Sequence, residues 1–526
     1  MGREITVCWK LAMVVLFLCI PWKFALSQIN VEWSTILGGS SWDQEPIVRS
    51  LPGGGCLVLG TTYSTDGYFQ DPLGNADIVV FKLDVDGNVL WQERFGGDNV
   101  DLASDMIILP DGGAVICGRS RSNNGIMEGM NKGLFDVLVF RISESGSLIW
   151  SNAFGGSNSD HANAVCFHPD VGFVLACKSN SFDGDTKGQI PSHDIWILHI
   201  DGTGNLIQQS NLGSEFGNEG YISYEYANDL VITNDQKLIV LGWSNSVSTD
   251  YDEDGPIRDQ YIAKLNSDLD LVWETFVGGM YAEEIYSAYP VDSGGVMAVG
   301  FTYSPDFNES NPSEGGSCLG TLIKINDFGE IELARFHGGD DIDRIHDICP
   351  GNQGGWYAIG VSESSFDQFS GNSGQADLWF LQYNEDGQID HQELMGGSQN
   401  DRGNSIAKDM QTGRLYLAGT TFSTDIDLLQ NQGSGDFWLL GVDMQPLMII
   451  EDKLFTVRFD LITEELIWIS QNTKSEEVFV FNTLGQLVLR ESAGWSILTL
   501  EHLQTGYYNV VIKSSDHFRN LGLFVP

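Results

Sequence analysis

Hydrophobic positions in this chain come in short bursts rich in Val, Ile and Leu, each closed by Gly, Asp, Asn or Ser. Residues 102–109, Ala114–Ser120, Asp136–Ile142 and Leu148–Phe154 show the pattern four times in succession. Bursts this short, bounded by turn formers, predict β-strands. The turns are tight. Asp111-Gly112-Gly113 joins the first burst to the second, and Asp86-Gly87, Ser145-Gly146, Phe328-Gly329 and Asp386-Gly387 join third bursts to fourth ones. Glycine serves such hairpins because it enters the left-handed region without steric cost.

The four-strand unit repeats. One copy runs from 91 to 150, a period of about 59 residues. Gly-Gly recurs at Gly38-Gly39, Gly96-Gly97, Gly155-Gly156, Gly278-Gly279, Gly338-Gly339 and Gly396-Gly397, and the fourth copy keeps only Leu212-Gly213 before an insertion. A second mark falls mid-copy at Gly60, Gly118, Ala176, Gly242, Gly300, Gly360 and Gly419, giving seven copies. Seven four-stranded meanders predict an all-β fold, a seven-bladed β-propeller. The chain opens with a lone fourth strand, 31–37, and the repeats end on a triplet, 401–443, with no fourth strand of its own. The opening strand is therefore expected to complete the last blade, which also hides a sheet edge.

The pattern Gly-Gly-x3-Asp, then Gly-x-[Thr/Ser]-x-Ser, then Asp-x4-Lys, resembles the seven-bladed β-propeller repeat of exported bacterial proteins. Gly60-Thr61-Thr62-Tyr63-Ser64, Gly300-Phe301-Thr302-Tyr303-Ser304 and Gly419-Thr420-Thr421-Phe422-Ser423 carry the middle element, and Asp77-Ile78-Val79-Val80-Phe81-Lys82-Leu83 the later one. The third copy departs at Ala176-Cys177-Lys178, and the fifth reads Leu319-Gly320 where the later Asp belongs. The resemblance covers roughly residues 31–445 and implies the fold but no single activity.

From Pro446 the marks stop. Residues 446–526 hold a hairpin signal at 477–488, a Leu-rich stretch at 497–503 and a strand signal, Gly506-Tyr507-Tyr508-Asn509-Val510-Val511-Ile512. This region is expected to be a small C-terminal β-sandwich. Its three motifs, in this order at the C-terminus, resemble the type IX secretion C-terminal sorting domain of Bacteroidota. The usual Pro-Asn-Pro opening is absent, and Arg519 stands where Lys-rich endings are common. The resemblance implies that an outer-membrane translocon recognises the module.

Residues 1–27 read as a signal peptide. Arg3 and Lys10 precede an unbroken apolar run at 11–20, too short to span a bilayer, and Ala25-Leu26-Ser27 fits a small-x-small cleavage site. The expected division is leader 1–27, propeller 28–445 and sorting module 446–526, with an extracellular or outer-surface location and no transmembrane segment in the mature chain. A formal charge of −45 makes nucleic acid and anionic lipid poor partners. Cys56, Cys117, Cys166, Cys177, Cys318 and Cys349 show no metal-ligand spacing and read as buried thiols.

An acidic residue precedes each mid-copy mark: Asp43, Asp101, Asp160, Glu225, Glu283, Asp343 and Asp401. Each should lie where the chain enters the strand lining the central channel. Two roles compete: a turn carboxylate accepting backbone N–H groups, or a ring of oxygens at the channel mouth that binds a ligand or Ca²⁺. A second series, Asp77, Asp136, Asp194, Asp259, Asp377 and Asp436, opens third strands, where a loop-to-strand hydrogen bond is the expected role. Asp250-x-Asp252-x-Asp254-Gly255 resembles the start of an EF-hand, but Tyr261 replaces the closing Glu, leaving only a looser candidate Ca²⁺ loop. The histidines lack zinc-site spacing. Trp33, Trp91, Trp150 and Trp273 mark fourth strands, and Trp196, Trp379 and Trp438 third strands, as inter-blade packing.

Long loops at 62–75, 245–258 and 303–317 share one face with the acidic series, and function is expected there. The sequence points first to a non-enzymatic binding or adhesion module for a glycan, protein or cation-bridged polymer. Its alternatives are a carbohydrate-active enzyme working through channel-mouth carboxylates and a structural surface-layer component.

Overall fold

The computed structural model describes residues 27–525 apart from single residues and short segments, the longer ones being 187–193, 214–223, 308–316, 366–371 and 500–505, and from residue 445 onward it describes backbone only. The chain divides into two compact units, the larger being Ile29–Met444.

That unit is a seven-bladed β-propeller. Each blade is a four-stranded antiparallel sheet in chain order. In the second blade, Asp101–Ile108 is innermost, followed by Ala114–Ser120, Asp136–Ile142 and Leu148–Phe154. The seventh blade breaks the rule as expected. Its inner three strands are Asp401–Lys408, Leu415–Thr421 and Asp436–Pro446, and its outermost strand is the N-terminal Ser27–Leu37. The inner strands of neighbouring blades touch at all seven junctions, including Asp43–Ser50 with Asp401–Lys408, so the ring is closed.

Alternation along the strands builds the core. Middle strands such as Cys56–Thr62 and Asp194–Ile200 are buried on both faces, whereas outer strands such as Val89–Phe95 alternate with solvent. The apolar clusters lie between blades. Trp196 packs with Val115, Cys117, Val137 and Val139 of the preceding blade, and Trp379 with Met297, Val299 and Leu322. A fully buried side chain of this kind contributes about 1.5–3 kcal/mol or more. The outer-strand tryptophans fasten blade to blade on the rim. The Nε1 atoms of Trp33, Trp150 and Trp273 donate to the carbonyls of Val85, Gly202 and Asp327 in the next blade's outer hairpin, at 2.9, 3.1 and 2.8 Å. The six cysteines of the propeller are buried and free.

Each inner strand carries a bulge, at Ala103/Asp105 in the second blade and at matching positions in the others. The register corrects one alignment mark. Asp101 pairs Ser120 and Asp160 pairs Ser179, so the third-copy counterpart of Gly118 is Cys177, not Ala176. Without a glycine there, the third copy offers no marker against a one-residue slip.

In the second unit, Met448–Asp452, Phe455–Asp460, Glu465–Ser470 and Ile497–Thr499 form one four-stranded antiparallel sheet. Leu487–Ala493, Glu476–Asn482, Gly506–Lys513 and Phe518–Val525 form another. Among the described residues no helix is long and apolar enough to cross a membrane.

Candidate functional site

The seven acidic residues open the seven inner strands, and each is at most 2% exposed. Asp101 shows how they are held. Its Oδ2 accepts the Gly97 N–H at 2.7 Å and the Ser122 hydroxyl at 2.8 Å, and its Oδ1 accepts the Ser120 hydroxyl. The frame repeats at Asp43 with Gly39, Thr62 and Ser64, at Asp160 with Gly156, Ser179 and Ser181, at Glu283 with Gly279, Thr302 and Ser304, and at Asp401 with Gly397, Thr421 and Ser423. Asp343 accepts Gly339 and Ser364, and Glu225 accepts Ser244. In the six copies other than the fourth, the second hydroxyl also accepts an N–H from the inter-blade loop, as Ser122 does from Asn99 at 3.0 Å. The Gly-Gly, the acid and the Gly-x-[Thr/Ser]-x-Ser motif are thus three parts of one blade junction.

The second acidic series meets the first at the same place. A Cβ on Gly96 would lie 2.6 Å from Asp101 Oδ2 and 2.9 Å from Asp77 Oδ1. Gly155 stands likewise between Asp136 and Asp160, Gly213 between Asp194 and Glu225, and Gly396 between Asp377 and Asp401. In the fifth blade Leu319 occupies the site of the missing Asp, against Gly338. The first glycine of the pair is therefore required for space. Burial pushes Asp43 and Asp343 up to about 6 and Glu283 to about 7. Glu225 is pushed up to about 8, by burial first, with the Asp194 carboxylate adding to it. Among the described residues no group of three or more His, Cys, Asp or Glu is placed to hold a metal ion. Of the candidate Ca²⁺ loop, Asp250 and Asp254 lie outside the described residues, and Asp252 is described only as backbone pairing Gly255.

The bulges place a second set of polar groups in the channel. Asp105, Asp229 and Asp347 occupy the same position on the second, fourth and sixth blades. Each accepts an N–H from the next inner strand, from Val165 at 3.0 Å, Ala288 at 2.8 Å and Ile406 at 2.9 Å. Arg49 pairs with Asp105 at 2.8 Å, and Ser405 donates to Asp347 at 2.8 Å. Asp229 has no cation within ion-pair distance among the described residues, and burial, with Asp105 and Asp347 adding, pushes it up to about 6.

Above this network, on the long-loop face, lies a cavity of about 440 Å³ walled by Gln44, Tyr63, Arg119, Asn163, Tyr226, Asn404 and their neighbours. From its Arg119 edge an arc of cations and rings runs across five blades, the second to the sixth. Arg119 lies over Phe135 at 5.9 Å, Lys178 over Tyr226 at 5.2 Å, Arg258 over Trp243 at 5.4 Å and Arg344 over Phe301 at 4.8 Å. Tyr226 and Trp243 are stacked with centroids 5.8 Å apart. Arg258 has an ion-pair partner, Glu284 at 3.3 Å. Among the described residues Arg119, Lys178 and Arg344 have none, although cations elsewhere, such as Lys82, Arg94, Lys264 and Arg414, are paired. The positive crowding is felt locally. Burial, then Arg119 and Lys178, hold His161 down at about 3, and burial with Arg119 lowers Lys178.

Sequence reasoning passed over these residues. Their signal is positional: the residue between the mid-copy mark and the hydroxyl that pairs with the acid is Thr61, Arg119, Lys178, Trp243, Phe301, Val361 and Thr420 in turn. Fixed neighbours on both sides make that variation conspicuous once the register is known.

No family model and no curated protein matches the chain. Solved structures similar to it include RRP9 WD40 repeats, at 10% identity and a TM-score of 0.45, covering 79% of this chain and 100% of that one. The Neurospora crassa Pan2 WD40 domain is similar at 8% identity and TM-score 0.42, covering 78% and 96%. Drosophila Plexin A, solved in complex with Semaphorin 1b, is similar at 10% identity and TM-score 0.40, covering 79% and 87%. The fold assignment rests on the strand pairing and the closed ring, which make this chain an all-β seven-bladed propeller.

Proposed function

We propose that this chain is an exported binding propeller that meets its ligand on the long-loop face. Residues 446–526 then serve as a type IX sorting module that delivers it to the outer cell surface or beyond. The leader-like N-terminus and the three ordered C-terminal motifs support export. One observation carries the binding reading. Positions common to the copies are buried in blade junctions, while Thr61 and Arg119, at a position that differs from copy to copy, line the cavity at the channel mouth. A repeat protein places recognition where its copies diverge.

Binding of the full chain to an array of extracellular glycans and proteins tests this. Retention without chemical change of the ligand is the expected result. Release of reducing sugar, abolished by Asp101→Asn with folding intact, would replace binding by catalysis. For the sorting module, deletion of 446–526 should leave the protein in the periplasm. Unchanged surface delivery of that truncation would remove the assignment.

A further inference from the structure

We propose that the channel mouth binds a short anionic saccharide, a sugar bearing carboxylate or sulfate, with Arg119 and Lys178 meeting its charge. The inference rests on the binding reading above and names the ligand class for the same face.

The argument begins with charge. The protein carries −45, yet Arg119, Lys178 and Arg344 have no carboxylate within ion-pair distance among the described residues, and Arg119 and Lys178 are close enough to repel. Rings hold them: Arg119 lies over Phe135, Lys178 over Tyr226 and Arg344 over Phe301, with Arg121 and Arg258 also over Phe135 and Phe301. Partly buried like charges repel, and their separate fixation costs free energy that a bound anion would return. Arg119 sits on the cavity wall, and among the described residues its one polar side-chain contact at hydrogen-bond range is His161 Nδ1 at 3.4 Å.

The size and lining of the cavity choose among anions. The acidic exterior disfavours a long polyanion, whose remaining charges would lie against it. A space of about 440 Å³ suits a small ligand. Beyond Arg119 its wall is largely amide and hydroxyl: Gln44, Tyr63, Asn163, Asn228 and Asn404. Side-chain amides donate and accept at once, which matches sugar hydroxyls. Asn228 uses its amide hydrogens on Glu284 and Ile285, and Asn404 its oxygen on Thr420, so one end of each amide keeps bonding capacity. Glu45, on the first blade, is the one carboxylate side chain among the cavity-lining residues, and it sets a limit on how many negative groups the ligand carries there.

The test is calorimetric titration of the full chain with tri-galacturonate, a sulfated chondroitin disaccharide, neutral chitotriose and tri-glutamate. One or both anionic sugars should bind, the better one marking carboxylate or sulfate as the charged group, and affinity should fall with added salt. Arg119→Gln and Lys178→Met should each weaken binding about tenfold or more, with unchanged melting temperature, while Lys82→Ala should leave it alone. If a variant fails to fold, the salt dependence and ligand ranking of the unaltered protein still decide. Equal binding of chitotriose overturns the anionic requirement and leaves the binding reading standing. Equal binding of tri-glutamate overturns the sugar requirement. No binding of either anionic sugar by a protein that is retained on a glycan or protein array overturns this inference alone, whereas loss of both results removes the binding reading as well.

Discussion

A carboxylate taken out of water costs several kcal/mol unless donors surround it. At the blade junctions those donors are a glycine N–H and two hydroxyls, supplied by segments 4 and about 20 residues away from the acid. Asp101→Ala would leave the Gly97 N–H without its acceptor, and a backbone N–H cannot turn away as a hydroxyl can. We expect a loss of about 3 kcal/mol, read by urea unfolding; a loss below 0.5 kcal/mol would show that the junction does not depend on the acid. Glu225 makes the matching pH prediction. Its folded pKa, about 8, lies above the ordinary 4.5. The folded state therefore keeps a proton that the unfolded chain has released, and this contribution is present at low pH and lost as pH rises through about 8. Relative to Glu225→Gln, the unaltered protein should lose up to about 1.4 kcal/mol per pH unit between pH 5 and 8. Parallel stability curves for the two would contradict the burial argument. The acids themselves were visible in the sequence because they recur. Whether they faced the channel or the junction was not, because the same spacing serves both and only the hydroxyl partners decide.

Strands and hairpins were the most legible level. Gly87, Gly146 and Gly329 have φ of 79°, 82° and 83°, the region that tight hairpins need. What the pattern could not display is that the same glycines receive a ring from the neighbouring blade. A Cβ on Gly87 would come within 2.4 Å of Trp33. Gly87→Ala thus carries two penalties, one conformational and one steric, and only the first survives in a Trp33→Ala background. A double-mutant cycle should give a coupling of about 1 kcal/mol or more; additive effects would mean that the ring does not bear on the turn. The slip from Cys177 to Ala176 belongs to this scale too. A strand whose face is buried fixes its register through packing, and a sequence lacking the marker glycine shows no trace of that packing.

The closed ring follows from counting seven fourth strands against seven triplets, so the architecture of the propeller was accessible from the sequence. The mouth was not. Arg119, Lys178, Tyr226 and Trp243 belong to three successive blades and form no motif along the chain; the stacking of blade on blade brings them together. The same holds for Arg49 and Asp105, which meet across the channel wall 56 residues apart. Every functional statement about this face depends on the N-terminal strand sealing the seventh blade. Hydrogen–deuterium exchange read by mass spectrometry tests that directly. Amides of residues 30–37 should exchange as slowly as those of 436–442, and the two segments should lose protection together as denaturant is added. Exchange of 30–37 within seconds, while 436–442 stays protected, would show an open ring and contradict the account.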